Sequence, residues 1–194
     1  KMNKDAKKAD VDLKDVKAAR TWFRDMAMSI SQVNAPKMLQ TSGPFTSFQN
    51  LTINSIGKMY CFFYDAKHKK TLPYWDKFPL IFPIEFYNDG FLGINLHYLP
   101  PVTRAKLMDA LYRTASNKKF DSSTVLQISY SILKGSARYK AFRPCVKRYL
   151  ATHVVSKFVY INPKDWDKAL LLPSERFQKK SKQFVWGESL EMIS

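Results

Sequence analysis

The chain has 194 residues, 45% of them hydrophobic and 14% aromatic, enough to bury one core and too apolar for a disordered tail. Lys and Arg number 32 against 16 acidic residues, a formal net charge of +16, which favours a polyanionic partner, nucleic acid foremost, through counterion release. An anionic membrane is the weaker rival, because no run of about 18 apolar residues exists and no strongly basic helix carries a broad apolar face.

In chain order, Lys1–Asp10 is strongly charged and reads as a mobile start; its first residue, Lys1, suggests a trimmed or processed form, and no secretory pattern is visible. Leu13, Val16, Ala19, Trp22, Phe23 and Met26 recur at helical spacing and predict an amphipathic helix over about Asp10–Ser29. Asn34–Asn54, with Pro36, Gly43, Pro44 and isolated Phe45 and Phe48, reads as an extended connector, an arm suited to packing on a neighbouring subunit. Strands are expected over Met59–Tyr64, Leu80–Tyr87 and Phe91–Tyr98, the last two joined by a tight hairpin in which Asp89-Gly90 supplies positive φ. Pro79 belongs at a strand entrance and Pro83 at an edge or bulge. Pro101 opens a helix running to about Ser116, and Asp121 or Ser122 caps another carrying Val125, Ile128 and Ile132. Pro144 is expected to open a further helix with a stripe of Val146, Tyr149, Leu150, His153 and Val154. Lys157–Ile161 reads as a strand returning to the sheet near Met59, and the tail as a short helix, basic first and acidic at its end.

The fold class is therefore α+β: a small antiparallel β-barrel or curled sheet, SH3-like at its most specific, surrounded by several helices. Three units follow: an N-terminal helix and arm over 1–54, the core with inserted helices over 55–173, and a basic tail helix over 174–194. Cys61 and Cys145 read as free thiols of a reducing compartment.

His68, His97 and His153 lack a Cys or carboxylate at ligand spacing, so neither a metal nor another cofactor is expected. There is no phosphate-cradling glycine loop and no serine elbow. Asp65, Asp76, Glu85 and Asp89 cluster in sequence near the core, as a nuclease would need, but without metal-nuclease spacing; exposed turn acids are the plainer reading. The cations carry more information. No acid lies between Ser122 and Lys164, while Lys134, Arg138, Lys140, Arg143, Lys147, Arg148 and Lys157 do. On helices Lys134 and Arg138 share a face, as do Arg143 and Lys147. Arg104, Lys106, Arg113, Lys118 and Lys119 extend that surface, and Arg176, Lys179, Lys180 and Lys182 form a second cluster. Such groups contact phosphates without reading bases. The competing readings are a solvated basic face or an interface with an acidic protein. Tyr139, Phe142 and Tyr149 lie among the charges, where they either stack on unpaired bases or, more simply, pack on the protein.

The phrases FPLIFPIEFYNDGFLGINLHYLPP, QISYSILKGSARYKAFRPCVKRYLATHVVSKFVYI and WDKALLLPSERFQKKSKQFVWGES, within Gly57–Ser189, resemble the DNA end protector family of T-even-type myoviruses and their marine relatives. The resemblance implies a non-catalytic virion protein, assembled in the host cytoplasm, that binds the ends of packaged DNA during head completion and shields them from host exonuclease. It brings no residue-level motif, and it leaves the segment through Asn54 outside. Expected partners are double-stranded DNA ends and other virion proteins (portal, neck or tail subunits), with no membrane and no small-molecule substrate. The alternatives are a structural neck, tail or baseplate component binding through the Met38–Phe48 arm, and a nuclease.

Overall fold

A computed structural model describes residues 45–114, Lys134 and residues 139–194. The expected helices at Asp10–Ser29 and after Asp121 lie outside the described residues. The strands are β1 (Phe45–Thr46), β2 (Met59–Cys61), β3 (Trp75–Asp76), β4 (Leu80–Tyr87), β5 (Gly90–Asn95), β6 (Val146–Leu150), β7 (Phe158–Ile161) and β8 (Phe177–Gln178). The helices are α1 (Pro101–Thr114), α2 (Tyr139–Phe142), α3 (Trp166–Leu171) and α4 (Lys182–Ile193), with short 3-10 turns between elements.

The main sheet is antiparallel in the order β1-β7-β2-β4-β5-β6, and β3 and β8 pair separately as a two-stranded ribbon. The sheet is open rather than a closed barrel. It ends in β1 and β6; the chain following β2 meets the chain following β6 through the isolated bridge Tyr64–Val154 and through side-chain hydrogen bonds such as Phe63 N–H to Ser156 Oγ at 2.8 Å. β7 does return to β2, with Tyr60 opposite Tyr160.

Leu80–Ile84 is buried without alternation because both faces of the sheet are covered. Met59, Cys61, Leu80, Phe82, Ile84, Ile94 and Ile161 pack under Leu107, Met108, Trp166, Leu170 and Val185 of the helices. On the other face Tyr60, Phe62, Tyr64, Phe91, Tyr149 and Phe158 form an aromatic cluster, with Phe62 and Phe158 ring centroids 4.5 Å apart. Phe48 caps this cluster, stacked on Phe91 at 6.1 Å. The described end of the predicted arm thus packs on its own chain: β1 pairs with β7 and Phe48 covers the sheet.

Three local readings change. Pro144 opens no helix; it sits in a 3-10 turn over Arg143–Cys145, and Val146–Leu150 is strand β6. The free edge of β5 offers a full ladder of partners, and Tyr149 turns inward to stack on Phe91 at 5.2 Å, a gain that a helix could not make. The β4–β5 hairpin has the expected two-residue turn, with Tyr87 opposite Gly90. However, positive φ occurs among the described residues only at Gly57 and Lys179. Gly90 is needed for close approach instead: a Cβ there would lie 1.9 Å from the Tyr149 carbonyl oxygen. Finally, Phe91–Tyr98 is not all strand, because Leu96–Tyr98 tightens into a 3-10 turn capped by Asn95, whose Oδ1 accepts from the His97 N–H. Pro83 marks a register shift in β4, as a bulge proline should.

Candidate nucleic-acid interface

The ribbon β3–β8 is fixed from below by Asp76, which is buried rather than an exposed turn acid. Its Oδ1 accepts from the N–H groups of Phe78 and Arg176, at 2.9 and 3.1 Å. Its Oδ2 accepts from Asn95 Nδ2 at 3.1 Å and lies 2.7 Å from His97 Nδ1, whose N–H donates to it. Burial alone would raise this carboxyl's pKa, but the neighbouring His97 and the donated hydrogen bonds outweigh burial and hold it below the ordinary value. His97 Nε2 in turn lies 2.9 Å from Ser174 Oγ. Ser174, His97 and Asp76 thus follow the order of a hydrolase triad, yet all three are buried, so no substrate reaches the hydroxyl. Their geometry joins β3, the Leu96–Tyr98 turn and the segment before β8. Among the described residues no group of three or more His, Cys, Asp or Glu could hold a metal ion. Asp65 and Asp89 are surface acids, paired with Lys69 and Arg148.

The predicted cations separate into two kinds. Arg104, expected on the basic surface, is instead wholly buried. Its Nε donates to Leu99 O at 2.7 Å, one terminal nitrogen to Leu170 O at 2.9 Å and the other to Glu175 at 3.0 Å. Glu175 also accepts from Lys182, at 3.0 Å. Although burial opposes ionisation of Glu175, Arg104 together with His97 and Lys182 pulls its pKa to about 2. Lys147 lies with its ammonium 4.0 Å from the Tyr98 ring centroid, and burial lowers its pKa. Arg148 bonds to Asp89 and, at 2.9 Å, to Tyr149 O, while covering Tyr87. Arg143 and Lys147 share no helix face, since one is in a 3-10 turn and the other in β6. Phe142 and Tyr149 are core residues and cannot stack on bases.

Lys106, Lys134, Lys140 and Arg143 are exposed, Lys140 donating to the Ser194 carbonyl at 2.6 Å, and Arg138 lies outside the described residues. The second cluster gains most from folding. The Lys179 ammonium donates to the carbonyls of Lys70 and Leu72 at 3.1 and 2.7 Å, bringing the loop Lys67–Leu72 against the ribbon. Lys67, His68 and Lys70 are exposed in that loop, and Lys77, Arg176 and Lys180 are exposed on the ribbon or next to it in the chain. Lys67, His68, Lys70 and Lys77 stand outside the set of cations expected from the sequence. Their signal was the run Lys67-His68-Lys69-Lys70 in an otherwise aromatic region, and its meaning depended on a contact with Lys179 far along the chain.

A protein-family model described as Phage T4 terminal DNA protecting protein matches residues 11–190. The chain belongs to that family. The match takes in the N-terminal region that the resemblance had left outside, so membership in the terminal DNA protecting family extends over nearly the whole sequence. No curated protein and no solved structure matches the chain. Among the described residues no helix is long and apolar enough to cross a membrane.

Proposed function

We propose that this chain is a non-catalytic virion protein that binds the ends of packaged linear DNA, shields them from host exonuclease and acts in head completion. The observation that carries this reading is the family match over residues 11–190; the net charge of +16 supports it by supplying affinity for phosphate. Exposed Lys106, Lys134, Lys140, Arg143, Lys179 and Lys180, with Arg138, are the cations available from the predicted set, and portal, neck or tail subunits are the accompanying protein partners. The strand order β7-β2-β4-β5-β6, with the 3-10 turn Ala151–His153 before β7, supports an SH3-like description of the sheet. The alternative, a neck, tail or baseplate component, relied on the Met38–Phe48 arm; Phe48 is already engaged with its own sheet.

The test pairs a blunt linear duplex with the same sequence as a closed circle. The full chain should retain the linear form better, lose affinity steeply between about 50 and 200 mM salt, and block exonuclease digestion from the ends. Unchanged digestion at saturating protein would refute protection, and equal retention of both forms would refute end recognition.

A further inference from the structure

We infer that the outer face of the β3–β8 ribbon, with the loop Lys67–Leu72, is the platform on which this chain holds the phosphate backbone of its DNA. This assignment rests on the function proposed above and names the surface that performs it.

The ribbon pairs Trp75 with Gln178 and Asp76 with Phe177. One step further, the Lys77 N–H donates to Arg176 O at 2.8 Å, so Lys77 and Arg176 stand directly opposite each other. Because side chains alternate along a strand and Asp76 is turned inward, Lys77 and Arg176 both turn outward, and both are exposed. Like charges directly opposite destabilise a strand pair, yet neither has a carboxylate in salt-bridge range among the described residues. Arg176 instead lies over the Phe63 ring, 5.7 Å from its centroid. Asp65, a surface acid that feels the Lys77 charge, is paired with Lys69 at 2.8 Å.

Around this pair the chain adds more positive charge in a fixed arrangement. The loop is closed on itself by Lys69 N–H to Ala66 O and by Thr71 and Leu72 N–H to His68 O, at 2.8–3.3 Å. Lys179 holds it from the side while adopting φ 70°, a left-handed conformation that residues with a Cβ avoid. The Lys179 ammonium is 5.9 Å from the Trp75 ring centroid, and Trp75 Nε1 is a buried donor with no hydrogen-bond partner among the described residues. Lys67, Lys70 and Lys180 complete the rim. Opposed like charges, a strained lysine and an organised loop all cost stability in the isolated chain, and a polyphosphate laid across them would offset that cost.

The experiment uses the full chain and linear duplex DNA, comparing K77Q/R176Q and K67Q/K70Q with K58Q/K168Q. Each phosphate contact adds about 0.9 to the steepness of log K against log salt. Each of the first two variants should therefore lower the slope by about 1.8 and weaken binding roughly thirtyfold at about 0.15 M salt, whereas K58Q/K168Q, at lysines outside every predicted cluster, should leave the slope unchanged. K77Q/R176Q should also hold or raise Tm, since it relieves repulsion. A wild-type slope in K77Q/R176Q overturns the inference while leaving the proposed function standing. A wild-type chain that binds no DNA removes both.

Discussion

Replacing Arg104 by Met tests whether this residue is a structural tie or a DNA contact. Its guanidinium serves the Leu99 and Leu170 carbonyls and one oxygen of Glu175, all within the interior. Methionine would fill much of the same space but satisfy none of them. Removing one partner of a buried ion pair costs about 3–5 kcal/mol. Because Lys182 still holds the other carboxylate oxygen of Glu175, the expected loss lies at the lower end, about 3–4 kcal/mol. At roughly 2–4 °C per kcal/mol for a chain of this length, Tm should fall by about 6–16 °C. Urea unfolding followed by tryptophan fluorescence measures the loss, with Trp186 stacked near Arg104 as a reporter. The salt slope of DNA binding by the folded variant should match wild type. Stability within about 1 kcal/mol of wild type, the range of an exposed pair, would refute the burial argument, and a slope lowered by about 0.9 would make Arg104 a phosphate contact after all.

Stability should also fall in acid. Glu175 is held at about 2 against an ordinary 4.5. A depressed carboxyl stabilises the fold fully above pH 4.5, and that contribution, about 3 kcal/mol, is lost as pH falls toward 2; Asp76 acts in the same direction. Urea midpoints at pH 7 and pH 3 measure the drop, which E175Q should flatten. Gly90→Ala should cost at least about 2 kcal/mol, because its Cβ collides with the Tyr149 carbonyl. Gly187→Ala, with nothing within 4 Å of the added carbon, should gain about 0.5–1 kcal/mol in helix α4. Opposite shifts in Tm are the expected result, and equal shifts would refute the close-approach explanation.

Much of the sheet was legible because its signals are local. Leu80–Tyr87, its hairpin partnership with the next strand, Pro101 as a helix start and Phe158–Ile161 all follow from runs and breakers a few residues long. Val146–Leu150 was misread because apolar residues at i, i+3 and i+4 also fit a strand whose inward residue is Tyr149; an open edge on β5 decided the matter. The interface was harder still. Arg104 and Arg176 are alike as letters, and what separates them is whether the fold delivers a carboxylate. Glu175 reaches Arg104, while Arg176 meets Lys77 across the ribbon. Asp76 reads as a surface acid for the same reason: its four donors come from three stretches of the chain, at Phe78, Asn95–His97 and Arg176.

The position of β2 governs how quickly this molecule assembles. Tyr60 is paired on one side with Ile81, a near neighbour in the chain, and on the other with Tyr160, a distant one. Loop-closure entropy makes the first pairing early and the second late, so a nascent chain halted before Phe158 exposes one side of β2 as an unpaired strand. High contact order then makes refolding slow and prone to aggregation, and synthesis through Ile161 becomes the step that commits the sheet to its final topology.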